Sequence, residues 1–447
     1  MPPDYSGKRF GILGIGKSGI AAARLIQRLG GIALLSDVKS SEQIGPVVEQ
    51  LTLDGFTLEL GGHRRVLTEK FDFVVVSPGI TLDRDWIDTW SSRGIPVISE
   101  LELASLCYNG KWIAVTGSNG KTTTVTLITD ILRSAGIQVQ SAGNIGKAWS
   151  DFLPQDGNSV FVIEVSSFQM EHTHTARPSV AVFLNVLENH LERHGDLITY
   201  GLLKLKLAAN CGPEDVIVYN ADDTFLSEHC RSLKATKVTF GRTCADFVVH
   251  NGVIYRQHSQ SAEKVFSGSE WKLIGDHNLL NASAALAVSQ CFGINDSIAQ
   301  RSLRAATPVE HRIEFLGMID GVSYINDSKS TNLAATVTAI SAVKGSIILL
   351  FGGRPKQENF SSLGDLLGKD LKGLIVFGEA TEKVKNELPD ALSIEYCSNL
   401  EEALHAGRRL ASEGDSILLS PGCASYDQYQ NFEQRGIHFK TLVRNLK

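Results

Sequence analysis

The sequence predicts an α/β protein divided into three domains. Its 447 residues exceed the length that a single hydrophobic core usually serves. Short apolar segments alternate with helical segments from end to end, which is the pattern of parallel sheets covered by helices on both faces. The pattern starts afresh at residues 111–115 and 322–325. We therefore divide the chain into residues 1–100, 101–308 and 309–447.

The composition indicates a folded and mildly acidic protein. Apolar residues make up 43% and charged residues 21%, which excludes a disordered chain. Lys and Arg number 43 against 49 Asp and Glu, a formal net charge of −6, so general nucleic-acid binding is not expected. The seven cysteines are scattered without a CxxC pair, which argues against disulfides and thiolate zinc sites. Short apolar runs and a start without a signal-peptide pattern predict a cytoplasmic protein that does not contact membranes.

A glycine-rich loop at residues 14–19 (GIGKSG) follows the first predicted strand, residues 8–13, and opens a predicted helix at 20–29. Glycines let backbone N–H groups approach a diphosphate, and the N-terminus of a helix favours negative charge. Asp37 follows the next predicted strand, residues 32–36, at the distance expected of a dinucleotide-binding motif. The loop therefore predicts a diphosphate-bearing nucleotide, with a tight turn that binds no ligand as the alternative.

A second glycine-rich loop, residues 116–123 (TGSNGKTT), also lies between a predicted strand and a helix. It is similar to a phosphate-binding P-loop, except that two residues instead of four separate Gly117 from Gly120. Lys121 can neutralise the β- and γ-phosphates, and the Thr122 hydroxyl can coordinate Mg²⁺. A glycine turn with an exposed lysine is the alternative. Together the two loops predict one site for ATP and another for a nucleotide-linked substrate or a redox cofactor.

The middle segment offers a candidate metal ligand at the end of a predicted strand. Glu164 ends that strand, at the edge where open parallel sheets bind ligands. His190 follows the next predicted strand and is either a ligand or an ordinary surface or core residue. Lys204 and Lys206 fall on a predicted helix, and their positions alone assign them no role. Residues 232–270 are rich in Val, Thr, Ser and Gly and predict an antiparallel insert.

Polar loops follow three predicted strands of the last segment. They are residues 326–332 (NDSKSTN), 352–356 (GGRPK) and 420–427 (SPGCASYD). Asn, Asp and Ser are common in turns and helix caps, so ordinary turns are the alternative to a binding site. Lys329 and Lys356, with backbone N–H groups, form a candidate site for a small dianion.

Five motifs, taken together, resemble the Mur ligases, in order and over essentially the whole chain. They are TGSNGKTT, EVSSFQ, HRIE, NDSKSTN and SPGCASYDQYQNFEQRG, and the last two point to the members that add D-glutamate. The resemblance implies a Rossmann-like N-terminal domain for the UDP end of the substrate, a central P-loop ATPase-type domain and a Rossmann-like C-terminal domain for the amino acid. It implies that a monomer uses ATP and two Mg²⁺ ions to join D-glutamate to UDP-N-acetylmuramoyl-L-alanine through an acyl phosphate, in peptidoglycan synthesis.

The resemblance also implies roles for individual residues. ATP binding is implied for Gly117, Ser118, Asn119, Gly120, Lys121, Thr122, Thr123, Asn278, Asn281, Arg312 and Asp327. Binding of the UDP-linked substrate is implied for Gly14, Gly16, Lys17, Ser18, Asp37, Lys39, Gly79, Asn144, Ser166 and Gln169. Binding of D-glutamate is implied for Lys329, Thr331, Lys356, Ser425 and Phe432. The implied metal ligands are Thr122, Glu164, His190 and Lys204, the lysine as a carbamate, and the implied catalytic residues are Lys121, His190, Lys204 and Lys329.

Two positions depart from the family pattern, because Asn189 and Glu192 stand where aspartate is usual. Lys206 is a rival of Lys204 for the carbamate.

Three other functions stay open at this point. A nicotinamide-dependent oxidoreductase would explain the first glycine loop but not the second, and a folylpolyglutamate synthase-like ligase would not need a diphosphate site in the first segment. A P-loop ATPase that couples hydrolysis to a partner would turn over ATP without an amino acid.

Overall fold

A computed structural model describes residues 3–259, 261–273, 275–356, 358–388 and 394–446. The described residues form three sheets of five, nine and six strands, each within one of the three predicted segments. This arrangement confirms the predicted α/β class. The predicted domain limits near residues 100 and 309 stay predictions, and a helix begins at the first of them. Among the described residues, no helix combines the length and the apolar character needed to cross a bilayer.

The first sheet is entirely parallel. Its strands are β1 (Arg9–Leu13), β2 (Ile32–Asp37), β3 (Thr57–Leu60), β4 (Phe73–Val76) and β5 (Val97–Ser99). Its helices are α1 (Lys17–Arg28), α2 (Ser41–Ile44), α3 (Val47–Leu53), α4 (Arg64–Thr68), α5 (Arg84–Ser92) and α6 (Glu100–Leu106). The strand order is β3-β2-β1-β4-β5, so the chain direction across the sheet reverses between β1 and β4. Ligands of open parallel sheets bind at such a switch point, and the loops after β1 and β4 flank it here.

The second sheet has a parallel centre and an antiparallel edge. Its strands are β6 (Trp112–Thr116), β7 (Val139–Gly143), β8 (Val160–Glu164), β9 (Val180–Phe183), β10 (Val216–Asn220), β11 (Thr236–Gly241), β12 (Phe247–His250), β13 (Val253–Gln257) and β14 (Ala262–Ser267). Its helices are α7 (Lys121–Ser134), α8 (Ser167–Glu171), α9 (Leu191–His194), α10 (Leu197–Leu205), α11 (Thr224–Cys230), α12 (Asp276–Cys291) and α13 (Asp296–Ala305). The strand order is β14-β13-β12-β11-β10-β9-β6-β8-β7.

The antiparallel insert predicted at residues 232–270 is wrong in part. Strands β11 and β12 pair in parallel within the large sheet, and only the pairs β12–β13 and β13–β14 are antiparallel. Asn251 and Gly252 form the two-residue turn of the first hairpin, with φ of 48° and 74°. Asn-Gly favours this turn because both residues tolerate positive φ. The segment therefore extends the central sheet instead of standing apart from it.

The third sheet brings the three polar loops to one edge. Its strands are β15 (Glu314–Ile319), β16 (Val322–Asn326), β17 (Ile347–Gly352), β18 (Leu371–Phe377), β19 (Ile394–Cys397) and β20 (Ser416–Gly422). Its helices are α14 (Leu333–Ala342), α15 (Ser362–Leu366), α16 (Ala380–Glu387), α17 (Leu400–Leu410) and α18 (Phe432–Asn445). Only β15 is antiparallel, and the order is β15-β16-β20-β17-β18-β19. Because β16, β20 and β17 are neighbours, the loops that follow them meet.

The first two domains share one apolar core. The cluster that contains Phe10 and Leu25 of the first domain also contains Trp149 and Phe161 of the second. Trp149 is fully buried, and its ring centroid lies 4.8 Å from that of Trp112. The third sheet has its own clusters on its two faces. We infer that burial of apolar surface holds the first two domains together.

Candidate active site

The phosphate loop connects the buried strand β6 to helix α7. Gly120, the residue before the helix, has φ of 85°, and a Cβ there would lie 2.5 Å from Oδ1 of Asn281. The position therefore needs glycine. Lys121 folds back over the loop, and its Nζ donates to the carbonyl oxygens of Gly117 at 2.8 Å and Ser118 at 3.0 Å. The result is a tight backbone cradle with an ammonium group above it, as expected for a polyphosphate site.

Glu164, at the end of β8, is the buried carboxylate of the site. One of its oxygens accepts from Oγ1 of Thr122 at 2.8 Å, and the other accepts from Nδ2 of Asn144 at 3.0 Å. Burial opposes its ionisation, but the Lys121 and Lys329 ammonium groups and these two hydrogen bonds together hold the pKa of Glu164 below its ordinary value. The carboxylate is therefore ionised at neutral pH and suited to hold a cation.

The third domain reaches the phosphate loop at the hydroxyl group of Thr122. Oγ1 of Thr122 accepts from Nζ of Lys329 at 2.8 Å and from Nη2 of Arg312 at 3.4 Å. The Lys329 ammonium group also lies 5.1 Å from the centroid of the Phe432 ring. Burial, with Arg312 nearby, lowers the pKa of Lys329 to about 8. Charged groups from two domains therefore converge on one atom of the predicted ATP site.

The cations of the site crowd one another. Burial, reinforced by Arg312, lowers the pKa of Lys121 to about 8 although Glu164 opposes the shift. Nε of Arg312 and Nδ2 of Asn119 are buried without a hydrogen-bond partner among the described residues. Buried donors are rarely left unpaired in proteins. A ligand with several anionic oxygens, such as a polyphosphate, would satisfy these donors and relieve the repulsion between the cations.

The structure separates the two candidate lysines of helix α10 and the turn that follows it. Lys204 is buried, its Nζ donates to the carbonyl oxygen of Gly117 at 3.2 Å, and it lies 4.3 Å from the centroid of the Tyr200 ring. Burial, and then Lys121, holds its pKa well below the ordinary value. Nζ of Lys206 instead donates to the carbonyl oxygens of Met170 at 2.8 Å and Glu171 at 3.2 Å. Only Lys204 faces the phosphate loop, and its carbamylation stays a prediction.

His190 lies at the edge of the same site in a left-handed conformation, with φ of 58°. Its ring centroid is 4.8 Å from that of Phe168. Burial, followed by the charges of Lys356 and Lys121, lowers its pKa to about 3, so its imidazole is neutral and able to act as a ligand. The preceding Asn189 accepts through Oδ1 from Nζ of Lys356 at 3.2 Å. Asn189, which departs from the family pattern, thus contacts Lys356, a residue predicted to bind D-glutamate.

A cavity of about 290 Å³ lies between the second and third domains. Pro308 and Val309, on the stretch that connects these domains, form part of its wall. The predicted site residues that line it are Ser118, Asn119, Gly120, Lys121, Thr123, Asn144, Glu164, His190, Asn278, Asn281, Arg312, Asp327, Lys329, Thr331 and Phe432. Residues from all five motifs therefore surround one space.

The residues predicted to meet the nucleoside lie on opposite walls of this cavity. On α12, Nδ2 of Asn281 donates to Oδ1 of Asn278 at 3.2 Å, and Oδ1 of Asn281 accepts from Oγ1 of Thr124 at 3.3 Å. Across the cavity, Asp327 accepts from the Ser420 hydroxyl at 2.8 Å. Burial raises the pKa of Asp327 to about 7, so a neutral carboxyl group that donates a hydrogen bond is accessible near neutral pH.

The first glycine loop lies at the switch point of the first sheet. The Asp37 carboxylate accepts from the backbone N–H groups of Ile15 at 2.9 Å and Lys39 at 3.0 Å. A Cβ at Gly19 would lie 2.0 Å from the carbonyl oxygen of Gly14, so helix α1 can approach the strand only with glycine there. Other predicted residues at this edge are exposed, namely Gly16, Lys17, Lys39 and Gly79. Asp37 therefore shapes the loop itself.

Three predicted residues have contacts that the sequence did not indicate. Ser166 and Gln169 form a capping box at the start of α8, in which each side chain bonds to the backbone N–H of the other. Ser425 is buried, and its carbonyl oxygen accepts from the N–H of Tyr429 at 2.8 Å. These contacts stabilise the local fold, and the predicted ligand roles of the three residues stay predictions.

Sequence reasoning missed Arg435, which is fully buried behind the third domain's loops. Its guanidinium group donates to the carbonyl oxygens of Ser328 at 2.9 Å, Cys423 at 3.1 Å and Gly352 at 3.3 Å. It therefore joins the ends of β16, β20 and β17, the three strands that carry the polar loops. Arginine on a helix is usually exposed, so only the EQRG motif on α18 signalled it.

The fold and the site together define a three-domain nucleotide-binding α/β protein. Three family models match the chain in order, described as "Mur ligase MurD-like, N-terminal domain" over residues 8–99, "Mur ligase middle domain" over 115–289 and "Mur ligase, glutamate ligase domain" over 311–423. The chain is 37% identical to the UDP-N-acetylmuramoylalanine–D-glutamate ligase of Acidobacterium capsulatum, with 98% of this chain and 97% of the relative covered. It is 38% identical to the ligase of the same name from Geobacillus sp. (strain WCH70), with 99% of each covered. The chain belongs to the Mur ligase family.

Solved structures share the fold of the whole chain. A type C pseudomurein peptide ligase from Methanothermus fervidus gives a TM-score of 0.62 at 17% identity, covering 99% of this chain and 100% of that one. A Thermotoga maritima MurF ligase in complex with ADP gives 0.61 at 19% identity, covering 93% and 96%. The family models and the full-length relatives confirm the predicted family, and the name of those relatives disfavours the alternatives raised from the sequence.

Proposed function

We propose that the protein joins D-glutamate to UDP-N-acetylmuramoyl-L-alanine in peptidoglycan synthesis, with hydrolysis of ATP to ADP and phosphate. The observation that carries the proposal is the convergence of Lys329 and Arg312 from the third domain on Thr122 of the phosphate loop. This contact joins the third domain, which we propose binds the amino acid, to the loop that we propose binds ATP. The names of the full-length relatives support the choice of substrates. A cytoplasmic monomer that binds only small molecules stays our expectation.

ATP is proposed to lie in the cavity between the second and third domains. Its phosphates would contact the N–H groups of the loop and the Lys121 ammonium group, and its nucleoside would lie between Asn278 and Asn281 on one side and Arg312 and Asp327 on the other. A partly buried, preorganised cluster of cations would stabilise the charge that moves from the γ-phosphate to the leaving ADP. Phosphoryl transfer needs little else from a protein.

The residues present fit Mg²⁺. Glu164 is an ionised buried carboxylate, the Thr122 hydroxyl lies 2.8 Å from it, and His190 is neutral. No group of three or more His, Cys, Asp or Glu side chains suited to a metal occurs in the described part of the chain. This agrees with Mg²⁺, which binds through one or two protein ligands and the phosphates of its nucleotide. When bound, Mg²⁺ would neutralise phosphate charge; Lys204, as a carbamate, is proposed to add a second anion beside Glu164.

The reaction is proposed to proceed in two steps. The alanyl carboxylate of the substrate attacks the γ-phosphorus of ATP, the bond to the β-phosphate oxygen breaks, and an acyl phosphate and ADP form. The amine of D-glutamate then attacks the acyl carbon, phosphate leaves and an amide remains, with one proton released. Holding the amine beside the acyl phosphate in a closed cleft raises the effective concentration and limits hydrolysis.

D-glutamate is proposed to bind at the third domain's edge of this cleft. Lys329, Thr331 and Phe432 line the cavity there, so an ammonium group is available for a carboxylate of the amino acid. Lys356 reaches Asn189 across the cleft. Ser425 lies in the loop after β20, which Arg435 anchors through the neighbouring Cys423.

A phosphate-release assay with identification of the product by mass spectrometry tests the proposal. The assay contains ATP, Mg²⁺, UDP-N-acetylmuramoyl-L-alanine and D-glutamate, with L-glutamate and buffer without amino acid as controls. We expect phosphate and the amide product in equal amounts, only with D-glutamate. ATP turnover at the same rate without an amino acid would overturn the proposal in favour of a P-loop ATPase.

A further inference from the structure

One arginine joins the diphosphate edge of the first domain to the metal-facing edge of the second. Arg193 lies on the short helix α9, three residues after His190. Its Nη2 donates to the carbonyl oxygen of Ile80 at 2.7 Å, and its Nη1 donates to the Thr81 hydroxyl. Ile80 and Thr81 belong to the loop after β4, which flanks the switch point of the first sheet. A single side chain thus spans the junction of two domains.

The guanidinium group is held in a fixed position on the second domain. Its Nε and Nη2 bond to the two carboxylate oxygens of Glu171 at 3.0 and 2.6 Å. The exposed fractions of the two side chains are only 16% and 18%, and the Phe168 ring lies 5.7 Å from the arginine. Bidentate, partly buried pairs keep their geometry far better than exposed ion pairs. The side chain of Arg193 is therefore held in one orientation by Glu171.

Hydrogen bonds connect Arg193 to the first glycine loop on one side and to His190 on the other. The N–H of Ile80 donates to the carbonyl oxygen of Ser77 at 3.0 Å. The Ser77 hydroxyl in turn donates to the carbonyl oxygen of Gly14, in the first glycine loop, at 3.2 Å. On the other side, the N–H of Arg193 donates to the carbonyl oxygen of His190 at 3.0 Å. The first glycine loop and the cavity histidine are therefore connected through Arg193.

We propose that Arg193 is a positioning residue that sets the distance between the diphosphate loop of the first domain and the phosphate loop of the second. The inference rests on the proposed function, in which one substrate has its diphosphate at the first loop and its carboxylate at the second. Such a substrate needs the two loops at a fixed separation, whereas ATP contacts only the second. Loss of Arg193 should therefore affect the UDP-linked substrate selectively.

The test compares Arg193→Gln with Arg256→Gln in the full-length protein. Arg256 is a close match, since its side chain is 17% exposed, bonds to both oxygens of Asp296 at 2.6 and 2.9 Å and lies 5.4 Å from the Phe247 ring, but it lies in the antiparallel edge of the sheet. For Arg193→Gln we expect kcat/KM for the UDP-linked substrate to fall by about tenfold or more, as expected for losing hydrogen bonds from a charged group. The KM for ATP should stay within about twofold in both variants, because the loop that holds ATP is intact.

A second measurement does not depend on catalysis. Amide hydrogen exchange at residues 77–82 should accelerate in Arg193→Gln and not in Arg256→Gln, because only the former loses the contact to that loop. Thr81→Val removes one contact from the first-domain side without a charge change, and it should also lower kcat/KM for the UDP-linked substrate. This variant tests the proposal if Arg193→Gln does not fold. Arg193→Lys should restore part of the loss.

Equal effects of Arg193→Gln and Arg256→Gln on both substrates would overturn the proposal, as would unchanged exchange at residues 77–82. A wild-type protein that forms no amide product would instead contradict the proposed function, and the exchange experiment would still decide whether Arg193 holds the loop.

Discussion

The two glycine loops share a strand–loop–helix design and differ in the charges around them. At the first, the Asp37 carboxylate accepts hydrogen bonds from the backbone N–H groups of Ile15 and Lys39, and Lys17 is exposed. At the second, the partly buried Lys121 and the buried Glu164 attract each other, and Lys329 of another domain joins them. Under the proposed function, a backbone cradle would suffice for a diphosphate that only binds, whereas the phosphate that reacts would lie among several charged side chains.

The lysine of each loop offers the largest test of this difference. Lys121→Ala should lower kcat about 10³-fold or more, because a partly buried cation at a transferred phosphate acts mainly on the transition state. Lys17→Ala should lower kcat/KM for the UDP-linked substrate by less than about tenfold, since an exposed cation contributes little. Steady-state kinetics measures both. Similar losses in the two variants would mean that the loops do not differ in the way the charges suggest.

The Thr122 hydroxyl gives the next largest effect. Thr122→Val keeps the shape of the side chain but leaves Glu164 and Lys329 without their shared partner, and we expect kcat to fall about a hundredfold. Thr122→Ser keeps the hydroxyl group and should retain most of the activity. The ratio of the two kcat values is the measurement. If valine and serine were equivalent, the contact between the domains at this atom would not serve catalysis.

The pH dependence of ATP use sharpens the comparison further. Burial lowers the pKa of both Lys121 and Lys329 to about 8, and ATP needs their protonated forms. We expect kcat/KM for ATP to fall as the pH rises through about 8, by about tenfold per pH unit for each lysine. Binding of UDP alone to the first loop should change much less.

The same two lysines affect stability with the opposite sign. Their pKa values lie below the ordinary value of 10.5, so between about pH 8 and 10.5 the unfolded chain binds more protons than the folded one. Their contribution to the free energy of unfolding therefore increases with pH in this window. Thermal unfolding at each pH separates a loss of ATP binding from a loss of fold, and a parallel fall in both would contradict the assignment.

Two glycines of the first loop give the smallest effect. A Cβ at Gly19 would meet the carbonyl oxygen of Gly14 at 2.0 Å, whereas at Gly16 nothing lies within 4 Å. Gly19→Ala should destabilise the first domain by about 1–3 kcal/mol, the usual cost of overpacking. Gly16→Ala should leave the midpoint of thermal unfolding nearly unchanged. Equal midpoints for the two variants would show that the helix can move away from the strand.

Buried parallel strands were the most predictable part of the molecule. A strand covered on both faces is a continuous apolar run, and the strands predicted at 8–13 and 32–36 are observed at Arg9–Leu13 and Ile32–Asp37. Polar residues directly after such strands, such as Glu164 and the 326–332 loop, could be located for the same reason. The edge at 232–270 was harder because strand pairing depends on partners distant in sequence.

Side chains whose partners lie far along the chain could not be predicted. Lys204 and Lys206 are two residues apart, and only the structure shows that their side chains contact different neighbours. Arg193 and Arg435 look like ordinary surface arginines in the sequence. Their partners, at Ile80 and at Gly352, are 113 and 83 residues away.

The connection between the second and third domains has a consequence for how its length can vary. Linkers at domain boundaries commonly accept insertions because few contacts depend on them. Here Pro308 and Val309 belong to the wall of the cavity between the two domains, so an added residue would reshape the space proposed for ATP. The length of this connection is therefore constrained by the size of the ligand that the cavity holds.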